Sequence, residues 1–292
     1  MPKVSELRRV ALRVPDMEAA CAFYETVWAM DPGPGASGER SYRSRGENHD
    51  DLLLVPADGP GLDHLGLGVE SEAGLHAIVR RVRSAGGTVL SEPAPGSRAG
   101  DLLVAAVADA DGNRVELIVP SQPSGPRPIR SKRHLGHAVL WTPQATQQEA
   151  FYALLGFQVS DRTHIGMSFL RCNTDHHSLA LAASRNGRRG LQHLAFDIGN
   201  IDDVMREYAR IRSAGADCIW GVGRHGPGNN VFAYFRDPAG HVVEYYGDME
   251  TVESAEVAQV RYWGPEHKGD IWNIAGAPPV QFRDESPSKE TP

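Results

Sequence analysis

The chain of 292 residues has little cysteine, no long apolar run and no basic excess, and each absence removes a class of function. Three cysteines, Cys21, Cys172 and Cys218, are an odd number, widely separated and without a CxxC pair. They suit reduced, mostly buried thiols rather than a disulfide framework or a zinc site. No run approaches the ~18 apolar residues that span a bilayer, so no membrane association is expected. The opening Met-Pro-Lys-Val-Ser-Glu-Leu-Arg-Arg lacks the apolar core of a secretory signal, which makes the cytoplasm the expected location. A formal net charge of −7 argues against a nucleic-acid partner, because phosphate recognition needs a clustered basic surface. The short basic stretches 80–83 and 130–133 read as a solvated helix face and a piece of linker.

What is present is an ordinary globular composition, 41% apolar and 23% charged, in a chain long enough for two cores. Its 31 glycines and 20 prolines exceed the usual share of about 12% and predict many turns. The informative feature is repetition. Arg83-Ser-Ala-Gly86 recurs as Arg212-Ser-Ala-Gly215, and Asp63-His64-Leu65-Gly66 aligns with Gln192-His193-Leu194-Ala195, both at an offset of 129. Phe23-Tyr24 recurs as Phe151-Tyr152, and Gly112–Glu116 aligns with Gly240–Glu244, both at an offset of 128. Near-equal offsets along one chain mark two homologous halves.

Each half divides again into strand, helix and about three short strands, so the unit occurs four times. Strands are expected at Val10–Val14, His64–Val69, Leu135–Trp141 and Leu191–Ile198, each leading into a helix. Thr142-Pro143 is the expected N-cap and first turn of the third helix, which ends near Gly156. The fourth runs from Asp202 to Gly215, with Val204, Tyr208 and Ile211 at the spacing of a buried stripe. The expected domains are 1–120 and 134–250, joined by a Pro- and Gly-rich linker at 121–133 and followed by a tail at 251–292.

The repeats place His137, His193 and Glu244 at equivalent strand positions, each flanked by apolar neighbours where an unpaired charge would be costly. Two imidazoles and one carboxylate brought together make the facial triad of non-haem iron(II) oxygenases. Their separations of 56 and 51 residues match no short metal motif; the equivalence across repeats is what carries the reading. Taken singly, each histidine reads as a hydrogen-bonded strand residue and Glu244 as half of an ion pair. In the first half His64 and Glu116 persist while the aligned partner of His137 is Ala11, so no catalytic metal is expected there.

This arrangement resembles the type I extradiol ring-cleavage dioxygenases of the vicinal oxygen chelate superfamily. The most specific stretch is Gly223-Arg224-His225, seven residues, then Ala233-Tyr-Phe-Arg-Asp-Pro-Ala-Gly240 and Glu244. Ala233 departs from the larger aliphatic residue usual in that family. The resemblance covers residues 5–248 and implies an α+β fold. Its four βαβββ modules would pair into two homologous domains, each an open, incomplete β-barrel with helices outside. It also implies Fe(II), or Mn(II), on His137, His193 and Glu244, with His177, His225 and Tyr234 as catalytic partners. His177 is preferred to His176 from the segment His177-Ser-Leu-Ala-Leu181, with His176 expected on the opposite side of the same strand. The implied reaction is meta cleavage of a catechol-type diol with O2, and relatives are commonly homo-oligomers. Phe169, Trp220 and Gly226-Pro227-Gly228 are candidate pocket walls, and the tail with Trp263 and Trp272 is expected to cover the pocket before it frays. Two other readings are a glyoxalase-like isomerase and a small-molecule-binding protein without catalysis.

Overall fold

A computed structural model of the protein describes residues 1–35, 38–44, 50–122, 133–252 and 259–283. Most of the expected linker (123–132) and parts of the expected tail (253–258 and 284–292) lie outside the described residues.

The chain forms four successive strand-helix-strand-strand-strand modules. The first comprises β1 (Val4–Val14), α1 (Met17–Ala22, continuing into a π-helical turn, Phe23–Val27), β2 (Asp31–Pro32), β3 (Arg40–Arg43) and β4 (Leu52–Pro56). The second comprises β5 (Gly61–Val69), α2 (Glu72–Ser84), β6 (Val89–Pro95), β7 (Asp101–Ala108) and β8 (Arg114–Pro120). The third comprises β9 (His134–Thr142), α3 (Ala145–Leu155), β10 (Gln158–Thr163), β11 (Met167–Arg171) and β12 (Leu179–Ala183). The fourth comprises β13 (Gly190–Asp197), α4 (Ile201–Ser213), β14 (Cys218–Arg224), β15 (Val231–Arg236) and β16 (Val242–Gly247). One more strand, β17 (Arg261–Trp263), follows.

Modules pair through their first strands. In one open sheet the order is β2-β3-β4-β1-β5-β8-β7-β6, and in the other β14-β15-β16-β13-β9-β12-β11-β10-β17. Reversed, the second order repeats the first element for element, with β17 added at the edge. Bulges repeat as well: two of the three register shifts between β1 and β5 recur between β9 and β13. The extra strand matters for function, because β17 joins the edge of the second sheet beside β10 and carries Trp263.

Local chemistry sets the helix ends. Ser71 and Asn200 accept hydrogen bonds from Gly74 N and Asp203 N and so cap α2 and α4. Helix α3 starts later than expected: Thr142 closes β9, and its Oγ1 accepts a hydrogen bond from Gln144 N, leaving the helix to begin at Ala145. Thr142 therefore makes a local turn before Pro143 instead of capping the helix. Gly156, at φ 98°, ends α3 in the left-handed conformation that glycine adopts without steric cost.

The halves are joined by reciprocal contacts that explain the repeated Phe-Tyr pair. Tyr24 OH donates to Asp237 Oδ2 across to the second half (3.0 Å), and Tyr152 OH donates to Asp109 Oδ2 back to the first (3.3 Å). Trp28 stacks on Tyr245 at 3.9 Å between ring centroids and meets Phe196 and Phe235 edge-on. One apolar core consequently runs through both halves. Among the described residues no helix is long and apolar enough to cross a membrane.

Candidate active site

Three adjacent strands of the second sheet bring the triad together. Ala195 on β13 lies opposite His137 on β9 and beside Glu244 on β16. Its methyl group leaves room for the two longer side chains to converge above it, and His193, two residues back on the same face, completes the cluster. One donor atom from each of His137, His193 and Glu244 lies within 4.8 Å of the others, and all three residues are buried. Glu244 Oε2 is 3.1 Å from His137 Nε2 and 3.2 Å from His193 Nε2. Donors about 2.1 Å from one ion, at right angles about it, would stand roughly 3 Å apart.

Hydrogen bonding supports a cation at this point. His193 Nδ1 is 3.0 Å from Gln192 Oε1, a carbonyl oxygen that can only accept, so its proton sits on Nδ1. Burial above all, together with nearby His137, keeps His193 below its usual pKa despite Glu244. A neutral His193 then turns a bare Nε2 toward a carboxylate oxygen, an opposition of lone pairs that a bound cation resolves. Burial alone would raise the Glu244 carboxyl, but His137 and His193 outweigh it and hold it well below the usual carboxylate range. The donor set is thus ready to bind at neutral pH.

The other expected residues surround the triad in a pocket of ≈ 850 Å³, counting its open mouth. The His225-to-Glu244 spacing is a pair of hairpins. His225 N bonds Asn230 O to close the turn into β15, Tyr234 sits opposite Glu244, and the Asp237–Gly240 turn returns the chain into β16. Gly240, at φ 93°, supplies the left-handed residue that this turn needs. His225 Nδ1 is 2.7 Å from Gly269 O and so carries the proton there, leaving Nε2 to accept from Tyr234 OH at 2.9 Å. Burial lowers the His225 pKa and raises that of Tyr234, which keeps both neutral. His177 lines the same pocket with its ring centroid 4.3 Å from that of His137. Burial first, then the surrounding histidines, pushes its pKa well down.

Phe169, Trp220, Pro227 and Trp263 form walls as expected. Trp272 does not: it lies outside the pocket, partly exposed, with the Arg224 guanidinium 4.9 Å from its ring. Phe282 lines the pocket in its place, meeting Tyr234 at 4.8 Å. His176 also departs from expectation. It lies in the loop before β12, is buried, and its Nδ1 is 3.0 Å from His177 Nδ1. Asn230, whose Nδ2 donates to Glu244 Oε1 at 3.3 Å, was not among the candidates. A lone asparagine in a turn looks like turn chemistry, and no sequence signal separates the two roles.

Two family models match the chain. Residues 134–245 match the Glyoxalase/Bleomycin resistance protein/Dioxygenase superfamily, and residues 9–118 match a Glyoxalase-like domain. A 3-methylcatechol 2,3-dioxygenase of Pseudomonas putida is 30% identical over 287 residues, covering 89% of this chain and 97% of its own. The chain belongs to the extradiol dioxygenases of this superfamily. Metapyrocatechase 2 of Cupriavidus necator is 28% identical, covering 67% of this chain and 70% of its own. Among solved structures, a Mn(II)-bound glyoxalase from Novosphingobium aromaticivorans superposes with a TM-score of 0.89 at 31% identity, covering 98% of this chain and 96% of that one.

As an extradiol dioxygenase with two homologous halves, the protein carries a second version of the triad, and the structure corrects its alignment. The repeated register places Arg9, not Ala11, where the second half has His137: Arg9 lies opposite Gly66 as His137 lies opposite Ala195. Ala11 stands at an offset of 126 from His137, two residues off the repeat, whereas the offset of 128 shared by Phe23-Tyr24 and Gly112–Glu116 leads to Arg9, as the strand pairing does. Arg9 is fully buried and makes a two-pronged bond to Asp101, Nη1 to Oδ2 at 2.9 Å and Nη2 to Oδ1 at 3.2 Å. Its Nη1 is 4.0 Å from Glu116 Oε2, which is 3.5 Å from His64 Nε2. A guanidinium thus supplies, beside Glu116, the positive charge that an ion would supply in the other half. We expect metal analysis of the loaded protein to find one tightly held ion per chain; two equivalent ions would contradict this. Arg9→Ala should lower the unfolding free energy in urea by about 3 kcal/mol, because it removes the two-pronged partner of buried Asp101 and leaves it only Arg8 Nε at 3.8 Å.

Proposed function

We propose that the protein performs extradiol (meta) cleavage of a catechol-type aromatic diol with O2, using Fe(II) held by His137, His193 and Glu244. The observation that carries this reading is the grouping of three neutral, proton-exchanging side chains, His177, His225 and Tyr234, around a three-donor site in one apolar pocket. The relatives' names, which include dioxygenases for 3-methylcatechol and biphenyl-2,3-diol, support the same class. The product would be a ring-opened muconic semialdehyde-type compound retaining both oxygen atoms, as in aromatic catabolism.

When bound, the metal supplies a meeting point for the diol oxygens and O2 and favours the ionised phenol. The protein's residues do the rest. His177, whose pKa is pushed down, is neutral and able to take a proton from the diol hydroxyl and return it later. Tyr234 and His225 form a hydrogen-bonded pair that can shift its proton to match the charge on a substrate oxygen. Phe169, Trp220 and Phe282 exclude water and present flat apolar faces to a ring.

The Mn(II)-bound glyoxalase neighbour favours a second reading, an isomerase. Such chemistry calls for a further carboxylate in the metal shell, and among the described residues the cluster contains Glu244 alone. The experiment is anaerobic reconstitution with Fe(II), then with Mn(II), followed by a panel of alkyl and aryl catechols with oxygen uptake recorded. The expected result is one O2 consumed per diol opened. Isomerase turnover without oxygen uptake, or bound metal with no uptake on any diol, would replace this reading.

A further inference from the structure

Behind His177 lies a buried chain of polar groups that the site as described does not use. His176 Nδ1 is 3.0 Å from His177 Nδ1, and His176 Nε2 is 3.1 Å from Asp161 Oδ2. His176 and Asp161 are each 1% exposed and His177 is 3% exposed. Asp161 on β10 also accepts Arg261 Nε at 3.0 Å and Trp263 Nε1 at 2.6 Å, both from β17. Burial would raise its carboxyl, but the hydrogen bonds from His176, Arg261 and Trp263 outweigh this and keep it ionised. Trp263 lines the pocket, so the strand that closes the pocket also grips this carboxylate.

Proton positions follow from the distances. Unlike His193, His176 belongs to no candidate metal-donor cluster among the described residues, so its nitrogen 3.1 Å from an ionised carboxylate oxygen carries a proton, because two lone pairs facing at that range repel. In its neutral form His176, protonated on Nε2, is bare on Nδ1. Two nitrogens 3.0 Å apart need one proton between them, so His177 carries its own on Nδ1. The only nitrogen of His177 left for a molecule in the pocket is a bare Nε2, an acceptor.

We propose that His176, held by Asp161, is a positioning residue that fixes the tautomer of His177 and so makes it a proton acceptor toward the bound diol. This rests on the ring-cleavage reading for its purpose but not for its geometry. An aspartate that orients a histidine through one nitrogen, so that the other is free to act, is a device known from hydrolytic triads. Here an imidazole is inserted between the two. Because Asp161 is also bonded to β17, the tautomer depends on the closing strand being seated.

The direct test uses histidine-selective 15N labelling of the full chain with Zn(II) in the metal site, reading tautomers from two-bond 1H–15N correlations. The expected spectrum has His177 protonated on Nδ1 only and His176 on Nε2 only. Protonation of His177 on Nε2 would overturn the proposal without any reference to activity. In Asp161→Asn the tautomer preference of His177 should weaken to a mixture. With Fe(II), kcat should fall about 10- to 100-fold while KM and metal content hold, the usual scale for an orienting partner. If Asp161→Asn changes neither tautomer nor kcat, the proposal fails. If that variant does not fold, the spectrum of the unsubstituted protein still decides. If the native tautomers are as expected and no diol is cleaved, the ring-cleavage reading fails and the geometry stands.

Discussion

Glu244→Ala, His137→Ala and His193→Ala should each lose the metal and, with it, oxygen consumption, while the fold persists. Among the described residues three protein donors converge at the site, so removing one leaves two, and affinity should drop by more than the ~10–100-fold attached to losing an outer partner. The fold should survive because the triad sits over Ala195 at the pocket face, whereas the two halves are joined by the separate Trp28 and Tyr24 contacts. Glu244 adds a pH signature. Its folded-state carboxyl is held below the usual range, so its stabilising contribution is fully present above about pH 4.3 and falls away progressively as acid takes the pH from there toward the lowered folded value. Comparing urea unfolding of the metal-free protein with Glu244→Gln from pH 7 to pH 3 checks this. Full oxygen uptake by any of the three alanine variants with metal retained would reject the site.

His177→Phe should retain the ion and still admit a diol, yet turn over about 10²–10⁴-fold more slowly, the scale of a lost acid–base group. Phenylalanine keeps a ring against His137, whose centroid is 4.3 Å away, so the ligand stays supported while the proton acceptor is gone. Metal content, anaerobic diol binding and single-turnover mixing with O2 separate the possibilities. Equal losses in binding and turnover would make His177 a packing residue. His176→Phe is not a neutral control, because its ring nitrogen contacts His177 directly.

The repeats made much of this legible from residue order alone. Offsets of 128 and 129 exposed two halves and four modules, since a duplicated module keeps its turns and helix stops even after its other residues diverge. The same logic picked out His137, His193 and Glu244, because equivalent strand positions in a symmetric module must lie close together. Tyr234 and His225 came from the family resemblance of the stretch Gly223–Glu244, which the structure folds into two consecutive hairpins.

Contacts between distant segments were a different matter. Arg9 was mistaken for its neighbour-but-one because Ala11 lies at an offset of 126 from His137 while the module repeats at 128, and the pairing of β1 with β5 restores the register. Asp161 lies 102 residues from Trp263 along the chain, and nothing in either stretch announces that β17 will add to the sheet edge beside β10. The proposed side of His177 on which the proton sits follows from that meeting, and the place of Phe282 in the pocket wall follows from its packing on Trp220 and Tyr234. Residue type and spacing settle what a strand can present. Which groups face each other, and which of their atoms must hold the protons, is decided when the sheet closes around them.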